Sequence, residues 1–176
     1  RRARALDMEV VFYDPYLPTG TELALGFRRA PTLAALMAEA DVVSLHTPLT
    51  PETRGMIGEA AFAASKRGQI LVNTARGAII DIDALHAAMR DGRIAAAGLD
   101  VLPEEPTDAT HPLLAAWRAE EAWIRDRLLL SPHAAFYSPD SIVDLRRKSA
   151  EVVLASLKGP RRLNCVNEAH LAKPRE

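Results

Sequence analysis

Short apolar runs alternate with stretches of helical periodicity along most of the chain. The apolar runs fall at residues 9–13, 41–46, 69–73, 94–101 and 128–130, with a shorter edge candidate at 27–30. Ile70-Leu71-Val72 and Leu128-Leu129-Leu130 are apolar at consecutive positions, so both faces of such a strand are hydrophobic. That pattern predicts parallel strands covered by helices on both sides. Helices are predicted at 32–40, 59–67 and 81–91, with Thr32 as an N-cap. Gly68 and Gly92 suit the left-handed position just past the second and third of these helices. A last long helix starts with Ser138 as N-cap and Pro139 in its first turn. Its apolar positions are Ile142, Leu145, Val152, Val153 and Leu157, and it stops at Gly159-Pro160. Alternating strand and helix signals predict an α/β fold, a doubly wound parallel sheet over residues 1–160, followed by an irregular tail at 161–176. Residues 111–127 hold both tryptophans, Trp117 and Trp123, among charges. A partner surface and a lid over the sheet edge are both readings of that stretch.

Composition narrows the function classes. The chain has 176 residues, 48% hydrophobic and 26% charged, which is enough for one domain with a core. Its formal net charge is -1, which gives no general electrostatic case for nucleic acid or an anionic membrane. Cys165 is its single cysteine, so no internal disulfide framework exists, and a reducing, cytoplasmic setting is expected. No apolar run approaches the ~20 residues that span a bilayer. No His/Cys cluster has metal-ligand spacing, so no metal is expected. The histidines His46, His86, His111 and His170 receive no role.

Three strings carry the chemistry: LVNTARG (71–77), LDVLPEEP (99–106) and LLLSPHAA (128–135). Each is an apolar run with a polar, turn-rich tail, and the tails hold Arg76, Glu105 and His133. The carboxyl ends of strands in an open parallel sheet share one edge, where ligands bind. A guanidinium, a carboxylate and an imidazole that meet there suit reduction of a keto acid. Arg76 would pair bidentately with the substrate carboxylate. His133 would give and take the proton near neutrality. A carboxylate beside an imidazole favours imidazolium and fixes the ring.

FYDPYL, ADVVSLHTPLTPETRGMI, LVNTARG, GLDV followed by EEP, and SPHAAFYS together resemble the D-isomer-specific 2-hydroxyacid dehydrogenases, from about residue 1 to 167. YDPYL (13–17), SPHAAFYS (131–138) and NCVNEAHL (164–171) resemble the C-terminal-binding-protein branch in particular. The resemblance implies a Rossmann-type NAD-binding domain, and it selects Glu105 over Glu104 because the family acid directly precedes a proline, here Pro106. It implies that Asp14 binds the adenosine ribose, accepting from both hydroxyls and repelling a 2′-phosphate, so NAD is expected over NADP. An Asp-Pro turn opener is the plainer account of Asp14, and both can hold. Thr47, Pro48, Leu49 and Thr53 are implied to lie over the cofactor, with Thr74, Ala75 and Arg76 beneath the nicotinamide ribose. His133, Ala134 and Ala135 are implied to face the cofactor too. Asp100 is implied to hold the carboxamide; a strand-end residue bonding a nearby backbone N–H is its alternative. Phe136 is implied to lie near the substrate, where corepressors of the branch carry tryptophan. The resemblance also implies a homodimer and, as a competing function, an NAD(H)-sensing binding protein.

The family's G-x-G-x-x-G turn is expected about 20 residues before the ribose-binding acid. The chain has no such turn and begins RRARALD without a Met, so it reads as a fragment lacking that turn, the first strand and a substrate domain, and inactive alone. Its tail is expected to return toward that missing domain. In the usual strand order the first strand is central, so a gap is expected within the sheet.

Overall fold

Four of the apolar runs pair side by side in chain order. The computed structural model describes residues 2–107, 110–159 and 164–165, in two units, Arg1–Ala135 and Phe136–Glu176. In the first unit, β3 (Val42–Leu45), β4 (Gln69–Asn73), β5 (Ile94–Leu99) and β6 (Leu128–Leu130) form a parallel sheet in the order β3-β4-β5-β6. β1 (Val11–Phe12) and β2 (Arg28–Arg29) form a separate parallel pair. The fold is thus a parallel sheet with flanking helices, the α/β class expected.

Strand register explains the core. Val43, Leu71, Ala97 and Leu128 stand opposite one another and are all buried. They pack with Met37 of α2 (Leu33–Glu39), Phe62 of α3 (Glu59–Ala64), Leu85 and Met89 of α4 (Ile82–Arg90) and Leu113 of α5 (Pro112–Arg118). Burial of such side chains contributes roughly 1.5–3 kcal/mol each. The alternate positions face the other way. Ile70 is 40% exposed and Leu129 67% exposed, and Val42 is exposed beside them. Cover on both faces was expected; within this unit only one face is buried.

Several boundaries differ from the sequence pattern for identifiable reasons. β1 is two residues long because only the two residues of β2 pair with it. β5 ends at Leu99, opposite the last residue of β4. α3 stops at Ala64 rather than residue 67, because the Lys66 N–H is taken by the Met37 carbonyl of α2. Gly68 therefore caps no helix; its positive φ serves the turn into β4. Gly92 does follow α4 with positive φ, and Thr32 and Asp81 cap α2 and α4 through their side chains. A short helix, α1 (Thr21–Leu25), lies between β1 and β2.

Part of the 111–127 stretch packs on the first unit, while residues 117–122 are exposed. His111 caps α5, accepting from the Leu113 N–H, and its Nε2 lies 3.0 Å from Asp83 of α4. Trp117 donates to the Leu128 carbonyl at the start of β6, the end opposite the catalytic tails. Trp123 packs beside His86 and beneath Arg90, whose guanidinium carbon is 4.8 Å from the ring centroid. Trp117 thus ties α5 to β6, and Trp123 ties the segment after α5 to α4.

In the second unit, α6 (Pro139–Lys158) opens with the expected cap, extended to a reciprocal box between Ser138 and Ser141. Val143, Leu145, Val153, Leu154 and Leu157 are exposed on it. Asp144, Arg147, Lys148 and Glu151 pair along its surface. Pro160 and the 161–176 tail, apart from residues 164–165, lie outside the described residues. No described helix is long and apolar enough to cross a membrane.

The sheet is interrupted between β1 and β3, and one face of its larger part is bare. Unpaired strand edges and exposed apolar faces favour association. These residues expressed alone should show weak near-UV circular dichroism, dye binding and aggregation on heating. A sharp, reversible, cooperative melt of a monomer would contradict this.

Candidate active site

The ends of β4, β5 and β6 are tied together by one residue. Asp100 follows β5 and is 5% exposed. Its N–H donates to the Asn73 carbonyl at the end of β4, and its carbonyl accepts from the His133 N–H beyond β6, both at 2.9 Å. Its carboxylate accepts from the Ser131 hydroxyl, from the Ala134 N–H at 2.9 Å and from the Ala135 N–H at 2.8 Å. Burial pushes the Asp100 carboxyl up, but the bonds from Ser131, Ala135 and Ala134, with the nearby His133, outweigh it and hold it below its ordinary value. The alternative reading of Asp100 as a backbone anchor is therefore what the structure displays. An ionised carboxylate has about four lone-pair sites, so a fourth donor can still be met.

His133 sits in this clipped loop with φ 52, a conformation that costs energy outside glycine. Its N–H is shared between the Asp100 and Ser131 carbonyls, which holds that conformation. Its Nδ1 lies 2.7 Å from Glu105 Oε2. Glu105 Oε1 accepts from the Leu102 N–H at 3.0 Å, so both carboxylate oxygens are oriented. The hydrogen bond from His133, then that from Leu102, draw the Glu105 carboxyl below its ordinary value. The two side chains are 43% and 39% exposed, so water screens the pair within this unit. Glu104 makes a different contact: its carbonyl accepts from the Thr107 hydroxyl.

Arg76 reaches the same sheet edge by another route. Asn73 is fully buried at the end of β4; its Oδ1 accepts from the Ala75 N–H and its Nδ2 donates to the Arg76 carbonyl, both at 3.0 Å. This bends residues 73–76 into a fixed turn, with Thr74 and Arg76 exposed and Ala75 half-buried. Gly77 opens a short 3₁₀ turn, Gly77–Ile79, and presses on the loop after β5. A Cβ on Gly77 would lie 2.0 Å from the Leu102 carbonyl carbon and oxygen. The turn carrying Arg76 and the loop carrying Glu105 are thus in backbone contact. The Arg76 guanidinium rests on the Ala75 carbonyl at 2.7 Å.

The remaining cofactor candidates divide. Asp14 follows β1; its Oδ1 accepts from the Tyr16 N–H at 2.9 Å, which is the turn-opening geometry. It borders an open depression of about 760 Å³, lined in part by Tyr13, Leu23, Arg28 and Arg29. Thr47 and Leu49 are half-buried and Pro48 exposed, on the loop after β3. Thr53 is buried, and its hydroxyl donates to the Pro48 carbonyl at 2.7 Å and accepts from the Thr50 N–H. It shapes that loop rather than lining it. The Tyr16 hydroxyl reaches the Glu52 carboxylate, joining the loops after β1 and β3. His46 meets the Ser44 hydroxyl at 2.9 Å. Phe136 is 55% exposed and belongs to the second unit. Asn73, Ser131 and the Leu102 amide were not singled out from sequence, although a buried polar residue closing an apolar strand is the signal for Asn73.

Comparison with known proteins follows this geometry. Residues 1–135 match the family described as D-isomer specific 2-hydroxyacid dehydrogenase, NAD binding domain. The chain is 39% identical over 168 residues to a glyoxylate reductase of Korarchaeum cryptofilum, covering 96% of this chain and 48% of that protein. Its structure resembles a glyoxylate reductase from Paecilomyes thermophila, with TM-score 0.79 and 32% identity, over 96% of this chain and 48% of that one. It also resembles the D-lactate dehydrogenase of Aquifex aeolicus complexed with NAD and lactic acid, with TM-score 0.76 and 33% identity, over 90% of this chain and 49% of that one. The chain spans about half the length of the curated relatives it matches.

The Gly77 contact is the sharpest local test. Gly77→Ala in the complete protein must push the Leu102 backbone away, at about 1–3 kcal/mol for overpacking. A lower thermal midpoint is expected; an unchanged one would show that the two loops are not in backbone contact.

Proposed function

The chain belongs to the D-isomer specific 2-hydroxyacid dehydrogenase family, and from that premise we propose that it is the NAD-binding part of an enzyme that interconverts a 2-keto acid and a D-2-hydroxy acid. Convergence of Arg76, Glu105 and His133 on one sheet edge is the observation that supports this most strongly. Asp14 and the turns after the strands would hold NAD, which when bound would supply or take up a hydride at the substrate carbon. The residues present suit it: a strand-end carboxylate, Asp14, beside an open depression, and the turns of Thr47–Leu49 and Thr74–Arg76 along one edge.

The protein's own work is orientation and proton transfer. Arg76 pairs with the substrate carboxylate through its guanidinium fork. His133 exchanges the proton of the substrate oxygen through Nε2, the ring nitrogen that Glu105 does not hold. Glu105 is a positioning residue; it fixes the ring and stabilises its charged form. Asp100 keeps Ala134 and Ala135 in place and has capacity for the carboxamide as a further donor. Phe136 borders the substrate on this reading, and the half-screened His133–Glu105 pair becomes drier when a substrate domain closes over it. That domain, the homodimer and a cytoplasmic setting complete the proposal.

A second reading is an NAD(H)-sensing dimer like the C-terminal-binding proteins, carried by the strings at 13–17, 131–138 and 164–171. The relatives named above are two glyoxylate reductases and a D-lactate dehydrogenase, and an oriented His133–Glu105 pair suits proton transfer. Turnover is therefore favoured. His133→Asn in the complete protein should lower kcat by about 10²–10⁴-fold with NADH binding kept. Undiminished turnover in that variant would refute the assignment. A wild-type protein that turns over neither glyoxylate, hydroxypyruvate nor aliphatic 2-keto acids would favour the sensor.

A further inference from the structure

The Arg29 guanidinium is built into the loop that carries Asp14. Arg29 lies on β2 and is largely buried, its side chain 22% exposed. It donates to the carbonyls of Asp14, Leu17 and Pro18, the last two at 3.0 and 3.4 Å. Its guanidinium carbon stands 6.0 Å from the Phe12 ring centroid on the neighbouring strand. Glu22 of α1 lies 3.8 Å from it. Glu22 Oε1 accepts from the Gly20 N–H, while Oε2 is buried with no hydrogen-bond partner. A buried carboxylate oxygen without a donor is expensive unless a cation stands close. Arg29 is that cation. The pair is suited to hold the 14–18 turn, since the planar guanidinium directs donors from two nitrogens along fixed directions to three carbonyls, a spread that a lysine's single ammonium does not reproduce.

The same arrangement bears on the charge of the adjoining depression. Among the described residues, the cations lining it are Arg28 and Arg29. Arg28 is paired with Glu9 and Glu39, and Arg29 with Glu22. Each cation already has an acidic partner, and Asp14 adds negative charge that repels a 2′-phosphate.

We infer that Arg29, balanced by Glu22, is a positioning residue that sets the Asp14 turn and thereby the preference for NAD over NADP. The inference rests on Asp14 as the ribose-binding acid. Misplacing a recognition group by about 1 Å weakens what it recognises by up to about 100-fold. Only the cofactor with a free 2′-hydroxyl uses that acid, so only its binding should suffer.

The test measures KM and kcat for NADH and for NADPH in the complete enzyme carrying Arg29→Met, Arg29→Lys or Asp14→Asn. Arg29→Met should raise the NADH KM about tenfold while NADPH KM changes less than about twofold and kcat moves less than the NADH KM. Arg29→Lys, which keeps the charge but not the fork, should narrow the NADH/NADPH ratio by an intermediate factor; it decides the matter if Arg29→Met does not fold. Equal losses for both cofactors, or a lower thermal midpoint with the ratio kept, would make Arg29 merely structural and overturn the inference. A ratio collapsed by Asp14→Asn but kept by both Arg29 variants defeats the Arg29 inference alone. A ratio that survives Asp14→Asn defeats the ribose assignment on which it rests.

Discussion

Asp100 is the junction on which the arrangement of the strand-end loops depends. A parallel sheet brings strand ends to one side, but it leaves the loops beyond them free to diverge. Asp100 closes that freedom with its N–H on β4, its carbonyl on His133 and its carboxylate on Ser131, Ala134 and Ala135. Buried charge is tolerated only when hydrogen bonds surround it. Here those bonds come from the segment that must be shaped, so the condition for burying the carboxylate also fixes His133. The positive φ of His133 is held by the same network.

The geometry of the candidate site therefore comes from polar groups at strand ends, and stability from the apolar face below them. Asn73 and Asp100 occupy the ends of neighbouring strands and satisfy backbone groups of the turns. Gly77 lets two of those turns approach to backbone contact. The opposite sheet face is bare, and β1 with β2 stands apart from the larger sheet. Both features fit a chain that spans about half the length of its curated relatives.

Much of this was legible in the residues. β4 and β6 were readable to the residue because each is a dense apolar run with sharp polar ends. The His133–Glu105 contact followed from strand-end logic together with the family strings. Other features were not readable, because they are tertiary. α3 ends early through a hydrogen bond to α2, which no local signal reports. Trp123 packs against α4 and Trp117 bonds to β6 while staying partly exposed, contacts that the surrounding charges do not report. Consecutive apolar residues predicted two covered faces, but cover depends on what else is present. The role of Thr53 in clasping its own loop was not legible, because its partners are the Thr50 N–H and the Pro48 carbonyl. Arg29 was one arginine among many until its carbonyl partners were seen.

If three separate segments present one crevice to one small acid, a crystal structure of the complete protein with NADH and oxamate, an unreactive stand-in for a 2-keto acid, shows it directly. The oxamate carboxylate should lie on the Arg76 guanidinium and its carbonyl oxygen within hydrogen-bond reach of His133. Oxamate bound away from either residue, with NADH in place, would contradict it.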